Sequence, residues 1–370
     1  MKKFRKILSL LTAAAIMLTP LSLSAQEQKI ASALSYEEAV KIAVSSNDML
    51  RKIKNEADSA SNQRNSLSSN FPPEASTTAP YISTMVQSTA DLEALVRNKG
   101  LEYDSTLDAI EMQLKNIFFT VHLHEENMKI NDRQIAHLRQ SVSIEMQKKQ
   151  YGMASDFSVK KMQNDLDKLI KEKAVAEKEV QKHYFALNKL LGQSTVKYTS
   201  LKPLALEYRG VDAKDSEQKI GVALANSATV NYKKAHIASL ELKKHLYPFN
   251  TETAYLLGTP APEKPERISD EIAIASDDLT VQKRNLEDQI RNLYNSLKSM
   301  EATITAQQAQ EKILKERIRI AEVQRKAGMI TQQQVDEAKL QLELLAHGIE
   351  SLKGQHTLLK LQFDKPHLMQ

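Results

Sequence analysis

The feature that most constrains this chain is a spacing that occurs twice. Apolar residues recur in alternating steps of three and four on both sides of a glycine, and a shift of 176 residues lays one set on the other. Tyr151-Gly152-Met153 falls on Ala327-Gly328-Met329, and Val159, Met162, Leu166 and Leu169 fall on Val335, Ala338, Leu342 and Leu345. Ahead of the glycines, Ile110, Leu114, Ile117, Val121, Met128, Leu138 and Val142 match Leu286, Ile290, Leu293, Leu297, Ile304, Leu314 and Ile318. Even the polar interruption repeats, Asn131 lying on Gln307. Steps of three and four hold one narrow apolar stripe on a helix, which is the coiled-coil spacing. Such a stripe cannot bury itself, so the helices pack side by side, within the chain and between chains.

Each copy reads as a short helix, a Pro-containing loop, a very long helix, a Gly-centred turn and a long return helix. The short helices are expected over 36–67 and 216–246, with Ala43-Val44 opposite Ala223-Leu224 and Ser46-Asn47 opposite Asn226-Ser227. Ser35 and Glu38 have the spacing of a capping box. The segment Ser105–Gln150 alone would extend ~70 Å at 1.5 Å per residue. Nine Gly, no Trp and 5% aromatic residues leave little from which to build sheets. The expected class is all-α: two tandem helical-hairpin repeats, 26–200 and 201–370, with at most short vestigial strands.

The N-terminus is separate in character. Lys2, Lys3, Arg5 and Lys6 precede the apolar run Ile7–Leu18, then Pro20 and the small residues Ser22, Ser24 and Ala25. This is the order of a secretory signal peptide over 1–25, a retained anchor being the other reading. Those four cations and no acid fall in the signal, so the formal charge of +5 drops to +1 beyond it. No concentrated basic face for nucleic acid follows from that balance. The lack of Cys excludes a lipoprotein anchor, disulfides and thiolate chemistry, and no other apolar run reaches the length of a spanning helix.

On its motifs the chain resembles the TolC, or outer-membrane efflux protein, family. Leu34-Ser35-Tyr36-Glu37-Glu38-Ala39-Val40-Lys41-Ile42-Ala43 with Ser46-Asn47 is similar to the opening of that family's repeat. Tyr151-Gly152-Met153-Ala154-Ser155 with Val159, and Ala327-Gly328-Met329-Ile330-Thr331 with Val335, resemble its coiled-coil tips. Leu187-Asn188-Lys189-Leu190-Leu191-Gly192 resembles the end of its first repeat, and the whole match spans roughly residues 34–365. The resemblance implies a homotrimer whose pooled helices form a hollow α-barrel in the cell envelope. It also implies an adaptor (membrane fusion) protein driven by an inner-membrane transporter. Gly152, Met153, Gly328 and Met329 would then be the docking tips; on the residues alone they are equally well plain hairpin turns.

The chain departs from the family pattern in two places. The connections Ser68 to about Ser88 and Tyr247 to about Ile268, where the family carries membrane strands, hold little that alternates over ~9–11 residues. Ala75–Tyr81 is short and broken by Pro80, and Thr251–Leu257 is expected to form one short strand at most. At the tip, Ser158 and Gln334 stand where the family often has an acid. Asp336 and Glu337 lie close by and would supply an acidic ring at the entrance of a trimer.

No catalytic pattern emerges. His122 and Glu126 share a helix face without an evident third ligand, and His124 on the seam reads as a packed interior side chain. No His-Glu-x-x-His pattern, Gly-rich phosphate loop or Gly-x-Ser-x-Gly turn occurs. The expectation is a non-enzymatic duct component with no cofactor or metal. The alternative is an exported coiled-coil structural or adhesion protein without a pore. The adaptor of such a pump fits poorly, because Gly-rich β-domains flanking the hairpin are not found.

Overall fold

A computed structural model describes residues 33–69, 79–212, 214–258 and 261–368. The expected signal segment and residues 70–78 lie outside the described residues. The order is α1 (Tyr36–Ser46), α2 (Asp48–Ser69), α3 (Ala79–Gln150), α4 (Asp156–Leu190), α5 (Asp215–Asn226), α6 (Ala228–His245), α7 (Tyr247–Leu257), α8 (Pro265–Lys326) and α9 (Gln332–Asp364). A 3₁₀ turn, Pro366–Leu368, follows.

Caps account for where the short helices start and stop. The Ser35–Glu38 box forms, Ser35 Oγ accepting from Glu38 N–H while Glu38 takes the Ser35 N–H. Each expected short helix proves to be two. Asn47 ends α1 in an extended conformation, and its side chain accepts from Leu50 N–H at 2.9 Å to start α2. Ser227 does the same between α5 and α6, accepting from Val230 N–H at 3.2 Å. A side chain that satisfies the new helix's free N–H groups makes the break cheap.

The long helices are longer than the seam alone predicts. α3 has 72 residues, about 110 Å of helix, and α8 has 62. Pro80 and Pro265 stand in their first turns, where a missing N–H costs nothing. The strand expected at Thr251–Leu257 is instead the helix α7. Pro248 sits in its first turn, Gly258 caps it at φ 61°, and Thr251 Oγ1 donates to Tyr247 C=O. An isolated segment cannot fill a β-ladder, whereas a helix satisfies its own backbone. Among the described residues the sole β-contact is the parallel bridge Leu34–Leu201.

Packing orders the helices into a sheet. Toward the hairpin turns the order is α4, α3, α9, α8; toward the other end α2 lies on α3, and α6 lies between α3 and α8. Two apolar cores sit where each short-helix pair meets its long helix. The first joins Ala43, Leu50, Ile110, Leu114, Val121 and Leu187; the second joins Ala223, Val230, Leu286, Ile290, Leu297 and Phe363. Equivalent seam residues such as Leu114 and Ile290, or Val121 and Leu297, are therefore buried at the same place in each copy.

Candidate functional site

Both hairpin turns are Schellman caps. Met153 N–H donates to Lys148 C=O and Gly152 N–H to Lys149 C=O; Met329 N–H donates to Gln324 C=O and Gly328 N–H to Arg325 C=O. Gly152 and Gly328 have φ of 72° and 73° with open space where a Cβ would lie. The glycine is needed for its left-handed backbone, not for room. Ser155 and Thr331 then cap the return helices, Thr331 with a full capping box to Gln334. The turns leave their methionines facing out, Met153 71% and Met329 75% exposed, and Tyr151 and Phe157 stand beside the first.

Charges staple each hairpin across its turn: Lys149 to Asp156, and Lys339 to Glu322 at 2.7 Å. Lys149 holds the Asp156 carboxyl below its usual range, and Lys339 does so for Glu322. Asp336 and Glu337 are exposed on the first turns of α9, where Asp336 accepts from Gln332 at 2.7 Å. Gln333 Nε2 donates to Ser141 Oγ at 2.6 Å, which sets the second tip beside the last turns of α3. The two tips therefore share one end of the molecule.

α3 and α9 join the two repeats. The Phe119 ring covers Gly354, where an added Cβ would fall 1.9 Å from the ring. Arg133 pairs with Glu343 at 2.8 Å, and Asp108 holds both Lys365 and His367, the latter at 2.7 Å. Burial works to raise the Asp108 carboxyl, but these two partners outweigh it and hold it low.

The outer helices α4 and α8 share no such joint. α8 carries a second stripe beside the buried seam: Ser299, Ala302, Ala306, Ala309, Ile313, Ile320 and Val323, in steps of three and four that pass through the exposed Glu316 between Ile313 and Ile320. Ser299, the alanines and the three larger residues are all exposed. The spacing was present in the sequence, yet small residues make a weak stripe beside leucines and isoleucines.

Two histidine pairs lie on the long helices. His124 is half-buried and stacks on His183 across the α3–α4 seam at 5.6 Å. Burial pushes the His183 imidazole down, and His124 adds to this. His122, Glu126 and His347 line a groove between α3 and α9. Among the described residues no group of His, Cys, Asp or Glu has the arrangement to hold a metal ion.

This architecture of paired long hairpins in a laterally open sheet is the TolC-type helical channel fold. Over 90% of its length the chain superposes on the Campylobacter jejuni CmeC outer membrane channel, with a TM-score of 0.64, 13% identity and 85% of that chain covered. It is similarly like the Vibrio cholerae outer membrane protein VceC, with a TM-score of 0.65, 12% identity and 90% and 96% of the two chains covered. The open-state MtrE outer membrane channel of Neisseria gonorrhoeae gives a TM-score of 0.63 and 11% identity, with 90% and 88% covered. No family model and no curated protein matches the sequence.

Proposed function

We propose that the chain is the tubular component of an export system, assembled as a homotrimeric helical duct in the cell envelope. The observation that carries this is the α9–α3 joint. In the duplicated sequence α4 is the counterpart of α9 and α8 that of α3. Repeating the joint once more sets α4 of one copy on α8 of the next. The second stripe of α8 supports the same reading: Ser299, Ala302, Ala306 and Ala309 are the counterparts of Leu123, Glu126, Ile130 and Arg133, which line the α3–α9 groove. A head-to-tail contact of this kind closes into a ring when its rotation allows.

Gly152, Met153, Gly328 and Met329 then present a ring of turns to an adaptor protein coupled to an inner-membrane transporter. Exposed methionines suit such a surface, since they repack against varied partners. Asp336 and Glu337, one turn behind the second tip, supply the acidic entrance. The duct works by bore and gating, without covalent chemistry.

Native mass of residues 26–370 tests the reading. A trimer is expected, and Ile313→Asp with Ile320→Asp should dissociate it; a persistent monomer at micromolar concentration overturns it. A second reading, an exported coiled-coil protein without a pore, is favoured by α7 standing in a connection where the family carries membrane strands and one short strand at most was expected here. Conductance across liposomes separates the two.

A further inference from the structure

Three of the four long helices keep one side free of charge. On α3, Gln113, Thr120, Asn127 and Gln134 stand seven residues apart, and one repeat on α8 has Gln289, Ser296, Thr303 and Gln310 at the same places. All are amides or hydroxyls in a chain of which 26% is charged, and no Asp, Glu, Lys or Arg stands three or four residues from any of them. α9 repeats the pattern with Gln341, Gln355 and Gln362, Gly348 filling the remaining place beside Gln307 of α8. Seven residues fall only about 20° short of two full turns, so each row keeps to one side of its helix. Among the described residues none of these side chains bonds to another helix. Thr120 donates to Asn116, and Ser296, Thr303 and Gln355 likewise bond within their own helices.

Residues two places from the rows hold the covering elements. Phe118 packs edge-on against Tyr36 of α1, Glu301 takes Val211 N–H, Thr357 donates to Glu207 C=O and Asp364 pairs with Lys219 of α5. They are neighbours but one of Thr120, Thr303, Gln355 and Gln362, which is about 200° around a helix. The short helices α1 and α5 and the segment 201–212 therefore cover one face of the sheet, and the neutral rows look out from the other. α4 departs from the pattern, with Asp165, Glu172 and Glu179 where α9 has Gln341, Gly348 and Gln355. Lys168, 3.8 Å from Glu172, and Lys182, on Glu179, offset two of these acids from within the helix.

We propose that the neutral face lines the bore of the duct, which then carries polar solutes by hydrogen bonding and without selecting the sign of their charge. A ring with α1, α5 and the segment 201–212 turned inward would fill its own bore, so the uncovered face is the inner one. Amides and hydroxyls both donate and accept, and such a wall exchanges hydrogen bonds with water and solute alike. It has no single-sign field of the kind that concentrates ions in a cleft. Sorting by charge falls to the entrance, at Asp336 and Glu337. The proposal rests on the ring reading, and the test separates the two.

With no Cys in the chain, a single introduced thiol reports on its own surroundings. In residues 26–370, Asn127→Cys, Thr303→Cys and Gln355→Cys probe the inner face, and Lys312→Cys, two residues from Gln310, probes the outer one. In a trimer identified by native mass, a small maleimide should label all four variants. A maleimide carried on a folded protein should label Lys312→Cys alone. Cationic and anionic methanethiosulfonates should react at the inner sites with a rate ratio within about threefold of that for free cysteine, barely changed by salt. A bias of about tenfold or more toward either reagent overturns the neutral wall and leaves the ring. Equal access of the protein-linked maleimide to inner and outer sites of a trimer puts this face outside, which also overturns the proposal and leaves the ring. A persistent monomer sinks the ring reading itself, and the proposed bore with it.

Discussion

The last turn of the return helix carries Leu187 in the first repeat and Phe363 in the second; both are fully buried at equivalent places. The polar residues around them differ. Asn188, next to Leu187, donates to the carbonyls of Tyr184 and Tyr198 and accepts from the N–H groups of Lys197 and Tyr198, all at 2.8–2.9 Å. Its counterpart Asp364 instead takes Lys219 of α5 at 2.9 Å and Lys360 at 2.7 Å. From α3, Glu125 accepts the hydroxyl of Tyr184, one turn before Asn188, at 3.2 Å. Its counterpart Glu301 gathers Val211 N–H at 2.7 Å, Lys298 at 2.9 Å and the fully buried His356 at 3.3 Å. The same apolar frame is thus closed around a neutral amide in one repeat and around ion pairs in the other. Duplication preserved the seam, which many residues share, while the polar joint, which depends on a few, was free to diverge.

The largest expected effects test the shared frame. Phe363→Ala should cost about 4 kcal/mol and Leu187→Ala about 3, read by denaturant melts. Near-equal losses would show the frame behaving alike in both repeats, while a negligible loss at either position would show that its core is not formed. Next comes the neutral network. Asn188→Ala strands the N–H groups of Lys197 and Tyr198 and the Tyr198 carbonyl and should cost about 2–3 kcal/mol, with faster hydrogen exchange confined to residues 197–201.

Glycine gives a finer contrast. Gly192 and Gly152 have nearly the same φ, 69° and 72°, but a Cβ on Gly192 would meet Ser46 Cβ at 2.8 Å while Gly152 has open space. Gly192→Ala should therefore cost about 2 kcal/mol and Gly152→Ala about 1. Equal losses would remove any role for the contact with the α1–α2 break.

The smallest effect is in pH. Burial pushes the His356 imidazole below its ordinary value, against the pull of Glu301, with Lys360 and Lys298 adding to the lowering. The folded state then binds this proton less readily than the unfolded chain. His356 leaves stability intact above about 6.5 and erodes it as pH falls through 6.5 toward the lower folded value. His183 and His347 are displaced the same way by burial and contribute to the same window. His356→Gln should flatten part of the loss between pH 7 and 5, and hydrogen exchange should show the relief at residues 207–212. Relief at residues 197–201 instead would contradict the division between neutral and charged joints.

Much of the architecture was legible because it is local. The inner seams, both glycine turns and the Ser35 cap depend on residues within a few turns of one another. Asn47 and Ser227 were visible as a repeated motif but not as helix breaks, because capping competes with a helical pattern that continues past it. α7 was misjudged for a related reason: a short run containing Thr and Tyr suits a strand only if a neighbouring strand is there to pair with it. Of the candidate site, the turns could be located in advance. The open edges could not, since exposure depends on which helix comes to lie alongside.

By itself the sequence determined the two hairpins, their register and the turns that reverse them, because apolar period and glycine conformation act along one helix. The tertiary structure decided the order α4, α3, α9, α8 and with it which faces remain uncovered. Phe119 on Gly354, Arg133 on Glu343 and Asp108 on His367 link residues more than two hundred positions apart. Contacts at that separation leave no periodic trace in the chain, and they set the covered face of α9 apart from the open face of α4.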